Sequence, residues 1–306
     1  MSAVTYRVRG GRPGRLREAL VGYGFVVVPM AIFGVFFLFP IGYAIYISRY
    51  NWGVYGPDPT NPSAGWHNYG WVLHDPLFWR SMRNIAEYTL WVVPAQMALG
   101  LFMAVIVNQK LRARTFFRSA FYFPSIASSA AITTIAIFIL NADGLLNKVL
   151  SFFGYDHHTA WFYTTTTALP AIAGLNAWTT SGTMMLFCLA SLQAIPNDVY
   201  EAAAIDGAGR WRTFWKITFP LLKPGHFFVA VVSIIGAVKL FDQAYIVSGG
   251  GGGPDYATLT PVLLLYQEAI QNIRFGYAAA MGIILLVFMV LLTLAQRLLF
   301  GRSEAA

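Results

Sequence analysis

Six long apolar stretches run through this chain of 306 residues and constrain its fold more than any other feature. A helix of about 20 apolar residues is long enough to cross the hydrocarbon core of a bilayer. A spanning segment must also satisfy its own backbone polar groups, which favours helices. The predicted spans are residues 22–48, 85–107, 116–140, 169–192, 227–247 and 277–299. The sequence therefore predicts an all-α integral membrane protein with about six transmembrane helices.

The composition agrees with a membrane location. Hydrophobic residues make up 57% of the chain and charged residues only 11%, whereas a soluble domain carries about 25% charged residues. The net charge of +8 does not indicate a nucleic-acid partner, because the basic residues lie at the ends of the apolar stretches. Membrane lipid is therefore expected to surround the apolar stretches. The single cysteine, Cys188, excludes an intrachain disulfide and is predicted to be a small packing residue.

Basic residues are distributed unequally between successive connections, and this predicts the orientation. One side has fifteen: Arg7, Arg9, Arg12, Arg15, Arg17, Lys110, Arg112, Arg114, Arg118, Arg210, Arg212, Lys216, Lys223, Arg297 and Arg302. The other side has five: Arg49, Arg80, Arg83, Lys148 and Arg274. Because lysine and arginine are enriched in cytoplasmic connections, both termini are predicted to be cytoplasmic. The expected domains are a basic N-terminal tail (1–21), a six-span membrane domain (22–300) and a C-terminal tail (301–306).

The connections predicted to face outward contain aromatic residues and glycine. Trp52, Trp66, Trp71 and Trp79 follow the first span, and they are typical of the membrane–water boundary; a carbohydrate-binding platform is the alternative. The five glycines at 249–253 are followed by no Gly-Lys-Ser/Thr. They are therefore interpreted as a flexible turn rather than a phosphate-binding loop.

A polar loop at about 193–224 interrupts the apolar pattern on the predicted cytoplasmic side. Alanines at 202–204 favour a short helix, and Asn197 or Asp198 could cap its beginning. Gly207 is predicted to end this helix, because glycine adopts a positive φ without steric cost. The alternative, without a functional role, is an amphipathic helix followed by an ordinary loop.

The same loop carries a motif that resembles the cytoplasmic signature of ABC importer permeases. Glu201, Ala202, Ala203, Gly207, Ile217 and Pro220 match the pattern E-A-A-x3-G-x9-I-x-L-P, with Phe219 in place of leucine. Residues 239–254 resemble a second segment of sugar-type permeases, F-D-x-x-Y-x-L-T-G-G-G-P, with a longer glycine run. The chain is similar to the six-span, first-permease type of maltose and glycerol-3-phosphate importers. This resemblance implies the type I ABC importer permease fold, with a cytoplasmic coupling helix, in the plasma (inner) membrane.

The resemblance also implies partners. A second related permease, two ATPase subunits and an extracytoplasmic sugar-binding protein are expected. The residues expected to couple to the ATPase are Glu201, Ala202, Ala203, Asp206 and Gly207. No Walker-type spacing occurs in the sequence, so the chain is predicted to be no enzyme and to hold no cofactor of its own. ATP and Mg²⁺ are expected on the partner ATPase.

Two stripes at helical spacing are candidates for the substrate pathway. The predicted fourth span carries Asn176, Thr179, Thr180 and Thr183 at i, i+3, i+4 and i+7, and the fifth carries Ser233, Gly236, Ala237 and Leu240. Polar groups in a span commonly face the bundle interior or a wet cavity, although small and hydroxylic residues also serve helix packing. The resemblance favours the pathway, because sugar contacts in maltose-type permeases come from these stretches. Trp178 could offer an aromatic face to a sugar ring.

Lys239 and Asp242 lie three residues apart in the predicted fifth span. On one helix face they could form an ion pair, and they are predicted to be a structural or gating pair. No metal site is expected, since His157 and His158 are adjacent in a loop and rarely converge on one ion.

The predicted function is ATP-driven import of a neutral carbohydrate through spans four and five. The main alternative is a sugar phosphate or a polyol, such as glycerol-3-phosphate. Two other classes of membrane protein are alternatives. A channel needs no docking helix. An integral membrane enzyme needs a catalytic cluster, which the sequence does not contain.

Overall fold

The computed structural model describes residues 15–300 except 59, 62, 110, 111, 156 and 157. Residues 1–14 of the predicted N-terminal tail and the whole predicted C-terminal tail at 301–306 therefore lie outside the described residues, whereas residues 15–21 belong to α1. The first half of the chain contains α1 (Arg15–Phe33), a π-helical turn (Gly34–Leu38), α2 (Phe39–Ile47), β1 (Trp52–Gly53), β2 (Gly56–Pro57), α3 (His67–His74), α4 (Pro76–Asn108), α5 (Arg114–Ile126), α6 (Ser129–Ile139) and α7 (Leu145–Ser151). The second half contains α8 (Ala168–Gln193), α9 (Asn197–Ile205), α10 (Arg210–Thr213), a π-helical turn (Phe214–Thr218), α11 (Phe219–Leu221), α12 (Lys223–Val238), α13 (Asp242–Ser248), α14 (Pro261–Tyr266), a π-helical turn (Gln267–Gln271) and α15 (Phe275–Phe300).

The all-α membrane fold predicted from the sequence is confirmed. Within the described part of the chain, four helical stretches are long and apolar enough to cross a membrane: Val21–Ile47, Pro76–Asn108, Lys223–Ser248 and Phe275–Leu298. They correspond to the predicted spans one, two, five and six. Helix α4 begins nine residues before the predicted second span, because Asp75 caps it by accepting the Leu77 N–H at 2.8 Å and Pro76 is its first residue.

The third predicted span, residues 116–140, is wrong as a single helix. It divides into α5 and α6, which meet at an angle of 91°. Ala127 and Ser128 have extended backbones between them, with ψ of 151° and 126°. Pro124 leaves the last turn of α5 without one N–H donor. Ser125 also turns its hydroxyl to the Thr179 carbonyl of α8 at 2.5 Å, so α5 packs across α8.

Helix α8 coincides with the predicted fourth span but differs in character from the other spans. It is a helix of 26 residues, but it is less apolar than the four stretches named above. Its threonines, serines and asparagine lower its mean hydropathy. It packs closely along α4, and this enclosed position explains why it tolerates polar residues.

The fifth span is interrupted at Lys239–Phe241, where α12 ends and before α13 begins. The glycines that follow form a turn, as predicted, but this turn is packed and hydrogen-bonded rather than open. Gly250 and Gly252 are buried at φ of 86° and 73°, and the Gly250 carbonyl accepts the Gln267 amide at 2.7 Å. The Gly252 N–H donates to the Ser248 hydroxyl at 2.9 Å. Glycine is required here because the chain makes positive-φ turns against its own packed side chains.

Two clusters of buried side chains join the helices that surround α8. The first cluster includes Tyr88, Val92, Ile172, Ala177 and Met281 from α4, α8 and α15. The second includes Val107, Met185, Cys188, Leu222 and Val229 from α4, α8 and the beginning of α12. Cys188 is only 3% exposed, which confirms its prediction as a packing residue. In contrast, none of the α1 and α2 residues whose burial the structure describes is buried against the rest of the chain.

Candidate coupling helix and transport pathway

Helix α9 is the short helix predicted in the polar loop, and it lies between the end of α8 and α10. Its beginning differs from the prediction. The residue before its first turn is Pro196, so neither Asn197 nor Asp198 occupies the capping position and no side chain caps the helix. Asp198 instead lies in the first turn, where the partial positive charge of the helix N-terminus favours a carboxylate.

Gly207 terminates helix α9, as the sequence predicted. This glycine has a φ of 70°, and its N–H donates to the Ala204 carbonyl at 3.1 Å. The Ala208 N–H donates to the Ala203 carbonyl at 2.9 Å. These two bonds form a Schellman motif, which satisfies carbonyls that the helix end would otherwise leave unpaired.

The two faces of α9 have different surroundings. Ala203 is 4% exposed and packs toward the rest of the chain. Glu201, Ala202 and Asp206 are exposed, and Ile205 is 87% exposed although it is apolar. The predicted coupling residues thus lie together on one short element, with all but Ala203 accessible to a partner.

Behind α9 lies a cavity of about 440 Å³ that separates the helix from the end of α4. Its walls include Val105 and Asn108 of α4, Tyr200 and Ala204 of α9, and Phe214 of the π-helical turn. The Thr218 hydroxyl donates to the Tyr200 phenol oxygen at 3.4 Å across this gap. The cavity leaves space behind α9 for the helix to shift.

The polar stripe of α8 is partly accessible along its length. Asn176, Thr179, Thr180 and Thr183 are all half-buried, and Trp178 is 49% exposed. The Thr179 and Thr180 hydroxyls lie 3.1 and 2.7 Å from the Asn176 carbonyl. Their hydrogen bonds are thus partly satisfied within the helix, which lowers the cost of placing them in a span.

The stripe of small residues predicted on the fifth span is divided in the structure. Ser233 and Ala237 are buried against neighbouring helices, and the Ser233 hydroxyl contacts the Met184 sulfur of α8 at 3.4 Å. Leu240 is also buried but lies beyond the end of α12, where its carbonyl accepts the Thr260 hydroxyl at 2.8 Å. Gly236 alone is exposed, and a Cβ atom there would meet nothing within 4 Å.

Lys239 and Asp242 do not form the predicted pair. Lys239 ends α12 and Asp242 begins α13, so the two do not share a helix face. Both are exposed, and the ion pairs found between described residues are Arg274–Glu268 and His158–Asp143. Lys239 instead lines a groove of about 560 Å³ between α12 and α15.

The structure adds one residue that the sequence reasoning missed. Gln96 of α4 is 3% exposed, and its Oε1 lies 2.6 Å from the Thr180 hydroxyl of α8. The available signal was a lone amide after Pro94 within an apolar span. This hydrogen bond from Thr180 to Gln96 holds the Thr180 side chain in one rotamer.

Comparisons with known proteins agree with this architecture. Residues 96–304 match the family described as the binding-protein-dependent transport system inner membrane component. The chain is 35% identical over 281 residues to the probable ABC transporter permease protein YesP of Bacillus subtilis, covering 91% of this chain and 89% of that protein. It is 33% identical over 315 residues to the diacetylchitobiose uptake system permease protein NgcF of Streptomyces coelicolor, covering 96% and 88%.

The fold is similar to that of a solved transporter chain. A bacterial alginate ABC transporter, in complex with a periplasmic protein that holds an alginate pentasaccharide, superposes with a TM-score of 0.80. The two chains are 18% identical, and the match covers 96% of this chain and 98% of the other. The chain thus belongs to the family of inner membrane components of binding-protein-dependent transport systems, the multi-pass permeases of that machinery.

Proposed function

We propose that this chain is the permease subunit of an ATP-driven carbohydrate importer and forms half of the translocation path with a second, related permease. A separate ATPase, which holds the ATP and Mg²⁺, drives it through α9. The observation that carries this proposal is the exposed face of α9, where Ile205 is 87% exposed between Glu201 and Asp206.

An apolar side chain flanked by carboxylates on a short helix is suited to insertion into a pocket of another protein. Burial of Ile205 would supply hydrophobic stabilisation, and Glu201 could pair with a cation of the ATPase. The cavity behind α9 allows the helix to move when the ATPases close. Substrate binding outside and ATP binding inside are then coupled through one two-state rearrangement.

The carbohydrate assignment is supported by the chemistry of α8 and by the relatives. Hydroxyl and amide groups of Asn176, Thr179 and Thr183 can exchange hydrogen bonds with a sugar at little desolvation cost. Trp178 is exposed beside them and offers an aromatic face. One relative is a permease for diacetylchitobiose uptake, and the structural neighbour imports alginate.

A sugar phosphate or a polyol is the alternative cargo. A phosphate needs a cation along the path, and Lys239 is the basic residue within the predicted fifth span, residues 227–247. If Lys239→Met leaves uptake unchanged, a neutral sugar is favoured. If Lys239→Met abolishes uptake of a phosphorylated sugar, the alternative stands.

The remaining partners and the orientation form part of the same proposal. An extracytoplasmic binding protein delivers the sugar, and it accounts for most of the selectivity. Two ATPase subunits bind below the paired permeases. The charge bias between connections supports a cytoplasmic location for α9 and for both termini.

The test is ATP-dependent uptake in vesicles that contain the chain together with the proteins encoded beside it. Co-purification of an ATPase and uptake that requires ATP support the importer. Uptake without ATP would indicate a channel, and an ATPase that never co-purifies would refute the proposal. Glu201→Lys should abolish uptake but preserve membrane insertion, because Glu201 is exposed and outside the spans. Glu18→Lys, the same substitution at an exposed residue of α1, should have no effect.

A further inference from the structure

The segment between α9 and the fifth span, residues 210–223, carries a ridge of exposed aromatic side chains. The Trp211 and Trp215 rings lie 5.7 Å apart, and the Trp215 and Phe219 rings 5.2 Å apart. Their exposed fractions are 76%, 47% and 38%. The spacing of four residues places all three on one face of this continuous helical segment.

The other face of residues 210–223 is already occupied within the chain. Thr218 and Leu222 are buried at 5% and 2% exposure, and Phe214 lines the cavity behind α9. Rotating the segment to bury the aromatic ridge would therefore expose Leu222 and break its contacts in the core. The ridge is directed outward as a consequence of this packing.

Basic side chains flank the ridge. Arg212, Lys216 and Lys223 are exposed, and none of them forms an ion pair with any described residue. The sequence contains no acidic residue between Asp206 and Asp242. The segment therefore exposes basic, aromatic and other apolar side chains, and no acidic one, at the point where the chain enters span five.

Helix α9 and the loop at its end have the opposite charge. They carry Asp198, Glu201 and Asp206 and no basic residue. Positive and negative charges are thus segregated along one loop. An anionic surface would attract residues 210–223 and repel α9.

We propose that residues 210–223 bind the anionic phospholipid headgroups of the cytoplasmic leaflet, with the aromatic ridge at headgroup depth and the basic side chains on the phosphates. Tryptophan favours the membrane–water boundary. Each basic residue near an anionic membrane strengthens the attraction about fivefold. A soluble phosphate ion would pair with the cations but leave the three rings exposed to water, so the bilayer fits the surface better.

This proposal rests on the proposed function because it takes α9 to be cytoplasmic, and it adds a role for the lipid. Residues 210–223 contact α9 through Thr218 and Tyr200. When headgroups hold this segment at the membrane, α9 is directed away from the surface and toward the ATPase. The lipid thus keeps residues 210–223 in place while α9 moves.

The test is fluorescence quenching of the full chain, with its co-purifying subunits, in nanodiscs of phosphatidylcholine and phosphatidylglycerol in equal amounts. Bromine is placed on the acyl chains of one lipid or of the other, so the membrane charge stays constant. The chain has nine tryptophans. The difference between the wild type and Trp211→Phe/Trp215→Phe isolates the signal of the ridge.

We expect brominated phosphatidylglycerol to quench the ridge signal more than brominated phosphatidylcholine. The preference should disappear in Arg212→Gln/Lys216→Gln/Lys223→Gln, with both lipids quenching equally. It should persist in Arg80→Gln/Arg83→Gln/Lys148→Gln, which removes three exposed basic residues elsewhere.

Equal quenching by both lipids in the wild type would overturn the proposal. So would a ridge that no lipid quenches but that added ATPase shields, since the surface would then be a protein contact. Neither result depends on transport. A chain that shows the lipid preference but no ATP-driven uptake would contradict only the proposed function.

Discussion

Tyr277 donates a hydrogen bond of 2.7 Å to Oδ2 of Asp75, a residue 202 positions earlier in the sequence. The other carboxylate oxygen of Asp75 accepts the Leu77 N–H at the beginning of α4. The Arg274 guanidinium lies 4.4 Å from the Tyr277 ring centre and pairs with Glu268 at 3.0 Å. One carboxylate therefore caps α4 and joins it to the beginning of α15.

Tyr277→Phe should lower the free energy of unfolding by about 1.5 kcal/mol, because it removes a bond to a partly buried carboxylate. Thermal unfolding in detergent measures this change. Tyr163→Phe, at an exposed tyrosine, is the control and should have no effect. Equal midpoints for both variants would show that the bond contributes nothing to the junction of α4 and α15.

The Asp75–Tyr277 bond shows what the sequence could not predict. The length of the apolar stretches predicted the helical membrane fold, and the alanines at 202–204 with Gly207 predicted α9 and its end. These signals are local. A contact between residues 202 positions apart depends on tertiary packing, which the local pattern of a single sequence does not reveal.

The breaks within the third and fifth predicted spans were missed for a related reason. Residues 116–140 and 227–247 are apolar enough to be continuous helices, and periodicity does not distinguish a straight helix from a broken one. The break at Ala127 coincides with the packing of α5 on α8, and the Thr260 hydroxyl binds the Leu240 carbonyl freed after α12. At the second break the Thr260 hydroxyl thus satisfies a carbonyl that the end of α12 leaves free.

The contact of α5 with α8 should depend on a glycine. A Cβ atom on Gly182 would lie 2.5 Å from the Phe121 carbonyl and 2.6 Å from the Ser125 hydroxyl. Gly182→Ala should therefore destabilise the protein by about 1–3 kcal/mol, the usual cost of overpacking. Gly174→Ala on the same helix meets nothing within 4 Å and should be neutral or slightly stabilising. Thermal unfolding of the two variants in detergent makes the comparison, and a stable Gly182→Ala would mean that α5 is free to move away.

The end of α9 should require glycine for its backbone conformation. Gly207 has a φ of 70° with open space around it, so Gly207→Ala costs about 1–2 kcal/mol through strain alone. We expect weaker ATPase co-purification and lower uptake, and loss of uptake in Gly207→Pro, which also removes the N–H bonded to Ala204. Gly209→Ala is the matched control because Gly209 has a φ of −68°. Normal coupling in Gly207→Ala would show that the Schellman motif does not orient α9.

The orientation can be tested with introduced cysteines, since the natural Cys188 is buried. After Cys188→Ala, a membrane-impermeant maleimide should label Ser151→Cys in intact cells. It should label Ser303→Cys only after the membrane is permeabilised. The unequal distribution of basic residues requires these opposite results. Labelling of both positions from the same side would mean that the number of crossings between them is even.

Two adjacent positions on α12 separate packing from transport. Gly236 is exposed with open space beside it, whereas Ala237 is 5% exposed within the core. Gly236→Leu should leave the unfolding midpoint and ATPase assembly unchanged, but it should reduce uptake because the larger side chain enters the proposed path. Ala237→Leu should instead lower stability by about 1–3 kcal/mol through overpacking. Uptake and thermal unfolding are measured for both variants. If Gly236→Leu transports normally, the exposed face of α12 contacts lipid or a neighbouring subunit, and the path lies along α8 and Trp178 without it.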